Sequence, residues 1–232
     1  MTRQHTDIAL ELKQDTTVRR ARMKKKMSII IAGILFLAGL SLLLYPLVAN
    51  QWNTYRQSRL ISEYETTVST ENSEGAIDYE KEWEKANAYN AALLPSILPD
   101  SFAIAAASDE PGDEYMSCLN ILNDGMMGYV EVPKINIKIP IFHTTSEEVL
   151  NKGAGHLEGS SLPVGGENTH AVISAHRGLP SASLFTDLDQ LEKGDHFLIS
   201  VLDQKLCYEV DQIRTVEPED TGDLEVEPGE DL

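Results

Sequence analysis

The sequence predicts a mainly β fold, an all-β barrel or sandwich with minor helices, preceded by helices and a membrane-spanning segment. Three observations lead to this prediction. An uncharged apolar run of 23 residues, Met27–Ala49, stands near the N-terminus. Two segments with helical spacing of apolar residues follow it. From Met127 onward the chain consists of short alternating segments separated by turns, which is typical of barrels and sandwiches.

The uncharged run is long enough to cross a membrane as a helix. At about 1.5 Å per residue, it spans the roughly 30 Å of a hydrocarbon core. The alternative, a cleaved signal peptide, has a shorter apolar region of about 7–15 residues followed by a small-residue cleavage site. Here the run is longer, and a polar leader of residues 1–26 precedes it. These features favour an uncleaved transmembrane anchor over residues 27–49.

Charge is divided unevenly along the chain. Residues 1–49 carry 8 of the 19 Lys and Arg and 3 of the 37 Asp and Glu, which leaves 11 and 34 for residues 50–232. The positive-inside rule therefore predicts a cytoplasmic leader, an anchor in the cell membrane and an extracytoplasmic remainder. The acidic exterior argues against nucleic acid as a partner, because phosphate binding needs clustered Lys and Arg.

Residues 50–126 are predicted as a helical region. Helical spacing covers residues 52–66, 78–94 and 114–123. Asp78 is placed to cap the second of these helices, and the polar segment 69–75 is predicted as the linker before it. After Pro95 the chain is irregular and rich in small residues, as functional loops and disordered segments often are.

Residues 127–232 are predicted as the β domain. The predicted strands are "MGYVEV", "INIKIPIF", "HAVISAH", "DHFLIS" and "LCYEVDQIRTV". The alternate isoleucines of the second strand share one face. The segment "SEEVLNKGA" is predicted as a short helix capped by Ser146, and the Gly-rich segment after it as a loop. The acidic run "EPEDTGDLEVEPGEDL" is predicted as a solvated loop.

Histidines are the first candidates for chemistry in the β domain. His170 and His176 lie six residues apart in one predicted strand, which separates them by about 20 Å. Because ligands must lie about 2 Å from a zinc ion, this pair cannot share one. His143 and His156 have no close-spaced partner, so neither a metal nor a cofactor is predicted. His176 ends a strand beside a Gly-Leu-Pro turn, which suits acid–base catalysis but also a structural or surface histidine.

A nucleophile for His176 is harder to find. Cys207 shares its strand face with Glu209 and Asp211, and neighbouring carboxylates disfavour a thiolate. Cys118 has helical spacing with apolar residues, which indicates packing. The serines lack a Gly-x-Ser-x-Gly signature. Neither cysteine is therefore predicted as a nucleophile, and two cysteines do not make a disulfide-dense scaffold.

The segment "GYVEVPKINIKIPIFHTTSEEVLNKGAGHLEGSSLPVGGENTHAVISAHRGLPSASLFTDLDQLEKGD" resembles the catalytic domain of class C, or pilin-type, sortases. These are membrane-anchored cysteine transpeptidases of Gram-positive bacteria. Four pieces match in order and spacing: "VPKI", "TSEEVL", "GAGHLEGSSLPVGG" and "SAHRGLP". The resemblance implies a sortase-type β-barrel of eight strands, with His176 as the catalytic histidine.

The resemblance also implies a reaction and its partners. A thiolate attacks the Thr–Gly carbonyl of an LPXTG-like sorting signal in a pilin subunit, and an acceptor pilin lysine or a cell-wall peptide resolves the thioacyl-enzyme. His176 donates a proton to the leaving amine and accepts one from the incoming amine. An arginine on the last strand stabilises the oxyanion or holds the substrate.

The sequence departs from the family pattern in two places. The family's cysteine, in a Thr-Leu-x-Thr-Cys strand, and its arginine would both follow "EVEPGEDL". The expectation is therefore an incomplete barrel without its last two strands, lacking the nucleophile and inactive, since Arg177 and Arg214 do not match the catalytic arginine. The family's lid motif, Asp-Pro-Trp or Asp-Pro-Phe, has its nearest counterpart in Asp100-Ser101-Phe102, which lacks the proline and also suits an ordinary linker turn.

A second function class remains open at this point. A membrane-tethered barrel of this kind without catalysis would be a surface module that binds a pilin or a wall peptide. The two classes differ in whether a nucleophilic cysteine stands beside His176.

Overall fold

The computed structural model of the protein describes residues 2–74, 77–93, 112–217 and 220–232. The chain divides into two compact units, Met1–Val48 and Ala49–Leu232. Asp100 and Phe102, the predicted lid residues, lie outside the described residues.

The first helix, α1 (Thr2–Glu74), is continuous. The prediction of a separate helix over residues 52–66 was therefore wrong, and so was the linker predicted over 69–75 as far as the described residues 69–74 extend. Between Pro46 and Gly75 the chain has no glycine or proline, the two residues that interrupt a helix most strongly. The change from apolar to polar composition alters what the helix contacts, but it does not break the backbone hydrogen bonds.

In the first unit, α1 presents apolar side chains to its surroundings. Large hydrophobic residues between Met27 and Val48 are exposed, with Leu42 reaching 77%. Helices of soluble proteins bury such residues, so these side chains require another apolar environment. One stretch within Met23–Ser69 is long and apolar enough to cross a membrane, which makes this helix a candidate anchor.

The second unit is built on a curled, mixed sheet of six strands that forms a half-barrel. The strands are β1 (Met126–Val132), β2 (Ile137–His143), β3 (Ala154–His156), β4 (Ile173–Ser174), β5 (His196–Val201) and β6 (Gln204–Glu209). Their order is β4-β3-β2-β1-β5-β6. The β2–β3 pair is parallel and the others are antiparallel, so β4 and β6 are the two terminal strands.

Three shorter helices accompany the sheet: α2 (Tyr79–Ala92), α3 (Asp113–Ser117) and α4 (Glu147–Leu150). The predicted caps are confirmed, since the side chain of Asp78 accepts from the Lys81 amide and that of Ser146 from the Val149 amide. The helix predicted over 114–123 is shorter, because the backbone becomes extended at Cys118, with ψ of 137°, and Leu119 then lies in the left-handed region.

Three segments of the sheet differ from the prediction. The last predicted strand, 206–216, corresponds to β6, which ends at Glu209. β3 begins at the last residue of the predicted helix 146–154, which ends already at Leu150, and continues into the segment predicted as a Gly-rich loop. Gly155 permits its approach to the segment after β2, because a Cβ there would lie 2.3 Å from the carbonyl oxygen of Thr144. The strand predicted over residues 170–176 shrinks to β4. The backbone at 170 and 171 bonds Ser161 and Leu232 instead of continuing the ladder with β3.

Both faces of the central strands are buried. One core cluster contains Val130, Ile139 and Ile141, and α2 contributes Ala86 to it. A second cluster contains Met126, Tyr129 and Phe142 from the strands, with Ile61 and Tyr64 from α1. Successive residues of a strand point to opposite faces, so β1 fills both clusters and is buried almost throughout.

Candidate active site

His176 follows β4 by two residues and begins a loop. Its side chain is half-buried, so neighbouring residues support the ring while solvent still reaches it. Its carbonyl oxygen accepts a hydrogen bond of 3.1 Å from the Phe185 amide. Within the described parts of the chain, no protein group hydrogen-bonds the ring. An imidazole in this state is available for proton transfer.

The other histidines of the second unit have hydrogen-bond or ion-pair partners for their rings. His143 and His156 are 2% and 0% exposed, and their ring nitrogens face backbone or side-chain partners. His170 places its Nδ1 atom 2.8 Å from a backbone carbonyl oxygen. His196 lies at the surface, with Nε2 3.8 Å from the Glu209 carboxylate.

A buried polar cluster that the sequence did not reveal joins α3 to β3. The hydroxyl of Tyr115 accepts a hydrogen bond of 3.0 Å from the Thr144 amide and lies 2.9 Å from Nδ1 of His156. The Nε2 atom of His156 donates to the carbonyl oxygen of Ser161 at 2.8 Å, which fixes the neutral tautomer. Burial lowers the pKa of His156 to about 4 and raises the pKa of the Tyr115 hydroxyl. Both groups therefore stay uncharged at neutral pH and act as structural links.

His143 ties the segment after α3 to the end of β2. Its Nδ1 lies 2.9 Å from the carbonyl oxygen of Gly125, and its Nε2 lies 2.9 Å from that of Cys118 and 3.1 Å from that of Tyr115. Burial lowers its pKa, while these carbonyl contacts oppose the effect. The only sequence signal for either buried histidine is its position among apolar and small residues.

The two thiols are free and differ in environment. Cys118 is completely buried, as the packing prediction expected, and burial raises the pKa of its thiol. A thiol in this setting does not supply a thiolate. Cys207 is exposed on β6, opposite Leu198 of β5, and the predicted alternation of that strand is confirmed, with Leu206 and Tyr208 packed against the core.

Arg177 and Arg214, the two arginines considered from the sequence, both form ion pairs. The guanidinium of Arg177 pairs with the carboxylate of Asp189 at 2.7 Å, and that of Arg214 pairs with Asp223. Both pairs are at the surface. That neither residue is the catalytic arginine stays a prediction.

Residues 230–232, here called the terminal segment, lie beside residues 168–171. The amides of Asn168 and Ala171 donate to this segment, and the Leu232 amide donates back to Thr169 at 3.0 Å. The bridge between the two segments is parallel, so the terminal segment points in the direction of β4 and His176. The carboxylate of Asp231 also accepts from the hydroxyl of Tyr208 at 3.0 Å, which links β6 to this loop.

The sequence profile of the sortase domain matches residues 130–231, and related structures have the same architecture. The sortase C of Streptococcus pneumoniae is 48% identical, with a TM-score of 0.64 over 75% of this chain and 84% of that one. Sortase C1 of Streptococcus agalactiae is 44% identical, with a TM-score of 0.62 over 75% and 86%. This chain belongs to the sortase family.

Sortases are cysteine transpeptidases, and the structural neighbours named above belong to class C, as the sequence motifs predicted. Sortase D of Bacillus subtilis is 35% identical over 95 residues, which are 41% of this chain and 45% of that protein. The sortase chain described here therefore spans about half the length of this curated relative. The half-barrel is the sortase fold.

Proposed function

We propose that this protein is a membrane-anchored class C sortase that cleaves an LPXTG-like sorting signal between Thr and Gly and joins it to a pilin lysine or a cell-wall peptide. The observation that carries the proposal is the 48% identity to the Streptococcus pneumoniae sortase C, a protein with pilin substrate specificity. The substrate class is carried over from that relative.

His176 is the acid–base group of the proposed reaction. It protonates the amine that leaves when the Thr–Gly bond breaks, and it takes a proton from the amine that attacks the thioester. Its half-buried ring, without a hydrogen-bond partner among the described residues, supports this role. The buried histidines could not take part, since their ring nitrogens are bonded inside the core.

Neither cysteine of residues 1–232 serves as the nucleophile in this proposal. Cys118 is buried with a pKa raised by burial. Cys207 is exposed on β6 and points away from Leu206 and Tyr208, the residues of that strand that pack against the core. The 232-residue chain by itself is accordingly expected not to form a thioacyl intermediate.

Membrane attachment is the third part of the proposal. The exposed apolar segment of α1 anchors the chain, and the acidic second unit lies on the outer side. Fractionation of expressing cells tests this: the protein should remain with membranes after alkaline extraction and should be cleaved by protease added to intact protoplasts. Release into the alkaline supernatant would contradict anchoring.

A peptide assay tests the assignment of the nucleophile. The full chain, incubated with an LPXTG-like fluorogenic peptide and an amine acceptor, should give no cleavage and no covalent adduct by mass spectrometry. Turnover that disappears in Cys207→Ala would support a sortase reaction but refute the exclusion of this thiol. Turnover that persists in Cys207→Ala would point away from cysteine chemistry at the surface.

A hybrid tests the function itself. The strands that the family pattern places after "EVEPGEDL", a Thr-Leu-x-Thr-Cys strand and an arginine strand, can be joined after Leu232 in a hybrid chain. The hybrid should cleave the peptide at Thr–Gly, and His176→Ala should lower kcat/KM by about 10²–10⁴-fold. His196→Ala, a surface histidine, is the matched control and should retain activity. A folded hybrid without cleavage would favour the non-catalytic binding module.

A further inference from the structure

The part of α1 that belongs to the second unit contacts the rest of that unit through polar side chains on one face. This docking face consists of Asn50, Asn53, Gln57 and Tyr64, at spacings of three, four and seven residues that place them on one side of a helix. Each side chain bonds backbone atoms far away in sequence. Gln57 donates to the carbonyl oxygen of Lys152 at 3.1 Å, and the hydroxyl of Tyr64 donates to that of Met127 at 3.0 Å.

The first two residues of the docking face reach the loop that begins after His176, residues 177–186, here called the histidine loop. The Oδ1 atom of Asn50 accepts from the amide and the hydroxyl of Ser183, at 2.8 and 3.0 Å. The Nδ2 atom of Asn53 donates to the carbonyl oxygen of Ser181 at 2.7 Å. The backbone partners fix which asparagine atom faces the loop, because a backbone N–H can only donate a hydrogen bond and a backbone carbonyl oxygen can only accept one.

The histidine loop leads back to His176 over a short path. Two residues after Ser183, the amide of Phe185 donates to the carbonyl oxygen of His176 at 3.1 Å. Between them, Leu184 has φ of 39°, a conformation that residues with a side chain rarely adopt. The described strands and helices do not include residues 177–186. Ala182 and Leu184 fix the loop to the core, and the side chains of Asn50 and Asn53 bond the backbone beside these two residues.

We propose that Asn50 and Asn53 are positioning residues for His176: they hold the histidine loop, which fixes the backbone at the end of β4. The catalytic meaning of this positioning rests on the proposed function. The ordering of the loop does not, because it follows from hydrogen bonds alone. A chain that proves catalytically inert can therefore still confirm or overturn the inference.

Hydrogen–deuterium exchange of the full chain in lipid nanodiscs tests the inference. Asn50→Ala and Asn53→Ala should each speed exchange in peptides covering 177–186 by about tenfold, the factor expected for the loss of a hydrogen bond or two. Peptides from β1 should be unchanged. Gln57→Ala is the matched control, because it removes a bond from the same helix face to Lys152 and not to the loop. Equal loosening of the loop by Gln57→Ala would overturn the proposal.

A conservative substitution gives a result that a general loss of stability could not produce. Asn50→Asp keeps the acceptor for Ser183, so exchange in the loop and the ring proton resonance of His176 should stay near wild type. Asn53→Asp loses the donor and places a carboxylate against a carbonyl oxygen, so it should loosen the loop at least as much as Asn53→Ala. The same response to Asp at both positions would refute the assignment.

Discussion

Removing the hydroxyl of Tyr115 tests the buried cluster that joins α3 to β3. Tyr115→Phe keeps the ring, which lies 4.9 Å from that of His143 between centroids. It deletes the acceptor for the Thr144 amide and the donor to Nδ1 of His156. Tyr115 and His156 are 2% and 0% exposed, so water has little access to Nδ1 of His156, whereas the Thr144 amide is only partly buried.

The expected loss follows from the two groups left unpaired. Each buried donor or acceptor without a partner costs about 1–3 kcal/mol, so two of them cost about 2–6 kcal/mol. Because the Thr144 amide is only partly buried, Tyr115→Phe should lower the free energy of unfolding by about 2–4 kcal/mol, the lower part of that range. That is a large fraction of the roughly 5–15 kcal/mol by which domains are stable. Truncation of the ring to Ala would add a packing loss and would not isolate the hydroxyl.

Urea denaturation of the full chain in mild detergent, followed by circular dichroism, measures this loss. Tyr55→Phe is the control, because Tyr55 is 57% exposed on α1 and its change should stay within about 0.5 kcal/mol. A loss below about 1 kcal/mol for Tyr115→Phe, with the control unchanged, would refute the reasoning, since it would mean that both partners remain satisfied.

Three other predictions concern pH, packing and thiol reactivity. His156 has a pKa of about 4 in the folded protein instead of 6.5. Between these two pH values the unfolded chain binds a proton at His156 and the folded chain does not, so the free energy of unfolding should fall by about 3 kcal/mol from pH 6.5 to pH 4. A series of urea titrations across that range measures the fall, and His156→Gln should make it smaller. Gly128→Ala should cost about 3 kcal/mol in the same assay, because its Cβ would lie 2.2 Å from the carbonyl oxygen of Ser200. Ellman's reagent should titrate one thiol, that of exposed Cys207, in the native chain and a second, that of buried Cys118, only after unfolding.

Features set by local sequence were predictable. The caps at Asp78 and Ser146 depend on residues three positions away, and both form. The alternation of β6 depends on a period of two, and it too is observed. The continuity of α1 is not evident from composition, because the change from apolar to polar residues at Asn50 alters what the helix contacts without introducing a glycine or proline that would interrupt it.

Features set by tertiary contacts were not predictable from this sequence. β3 exists because Gly155 lets its backbone approach Thr144, and glycine alone indicates a loop as readily as a close contact. The link between Tyr115 and His156 joins residues 41 positions apart. His176 was identified by its motif and by the resemblance to sortases, whereas the asparagines that hold its loop lie more than 100 residues away and match no motif.

In the contact between α1 and the histidine loop, the two partners contribute different kinds of atoms. The helix contributes side-chain atoms, whereas the loop contributes mainly backbone atoms, with the Ser183 hydroxyl as an addition. The side chain of Ser181 can therefore change without loss of its carbonyl bond, while a change at Asn53 removes that bond. The polar contact that holds this loop is consequently encoded in α1 more than in the loop serines, so an exchange of residues 50–53 should disturb the contact more than an exchange of Ser181 and Ser183.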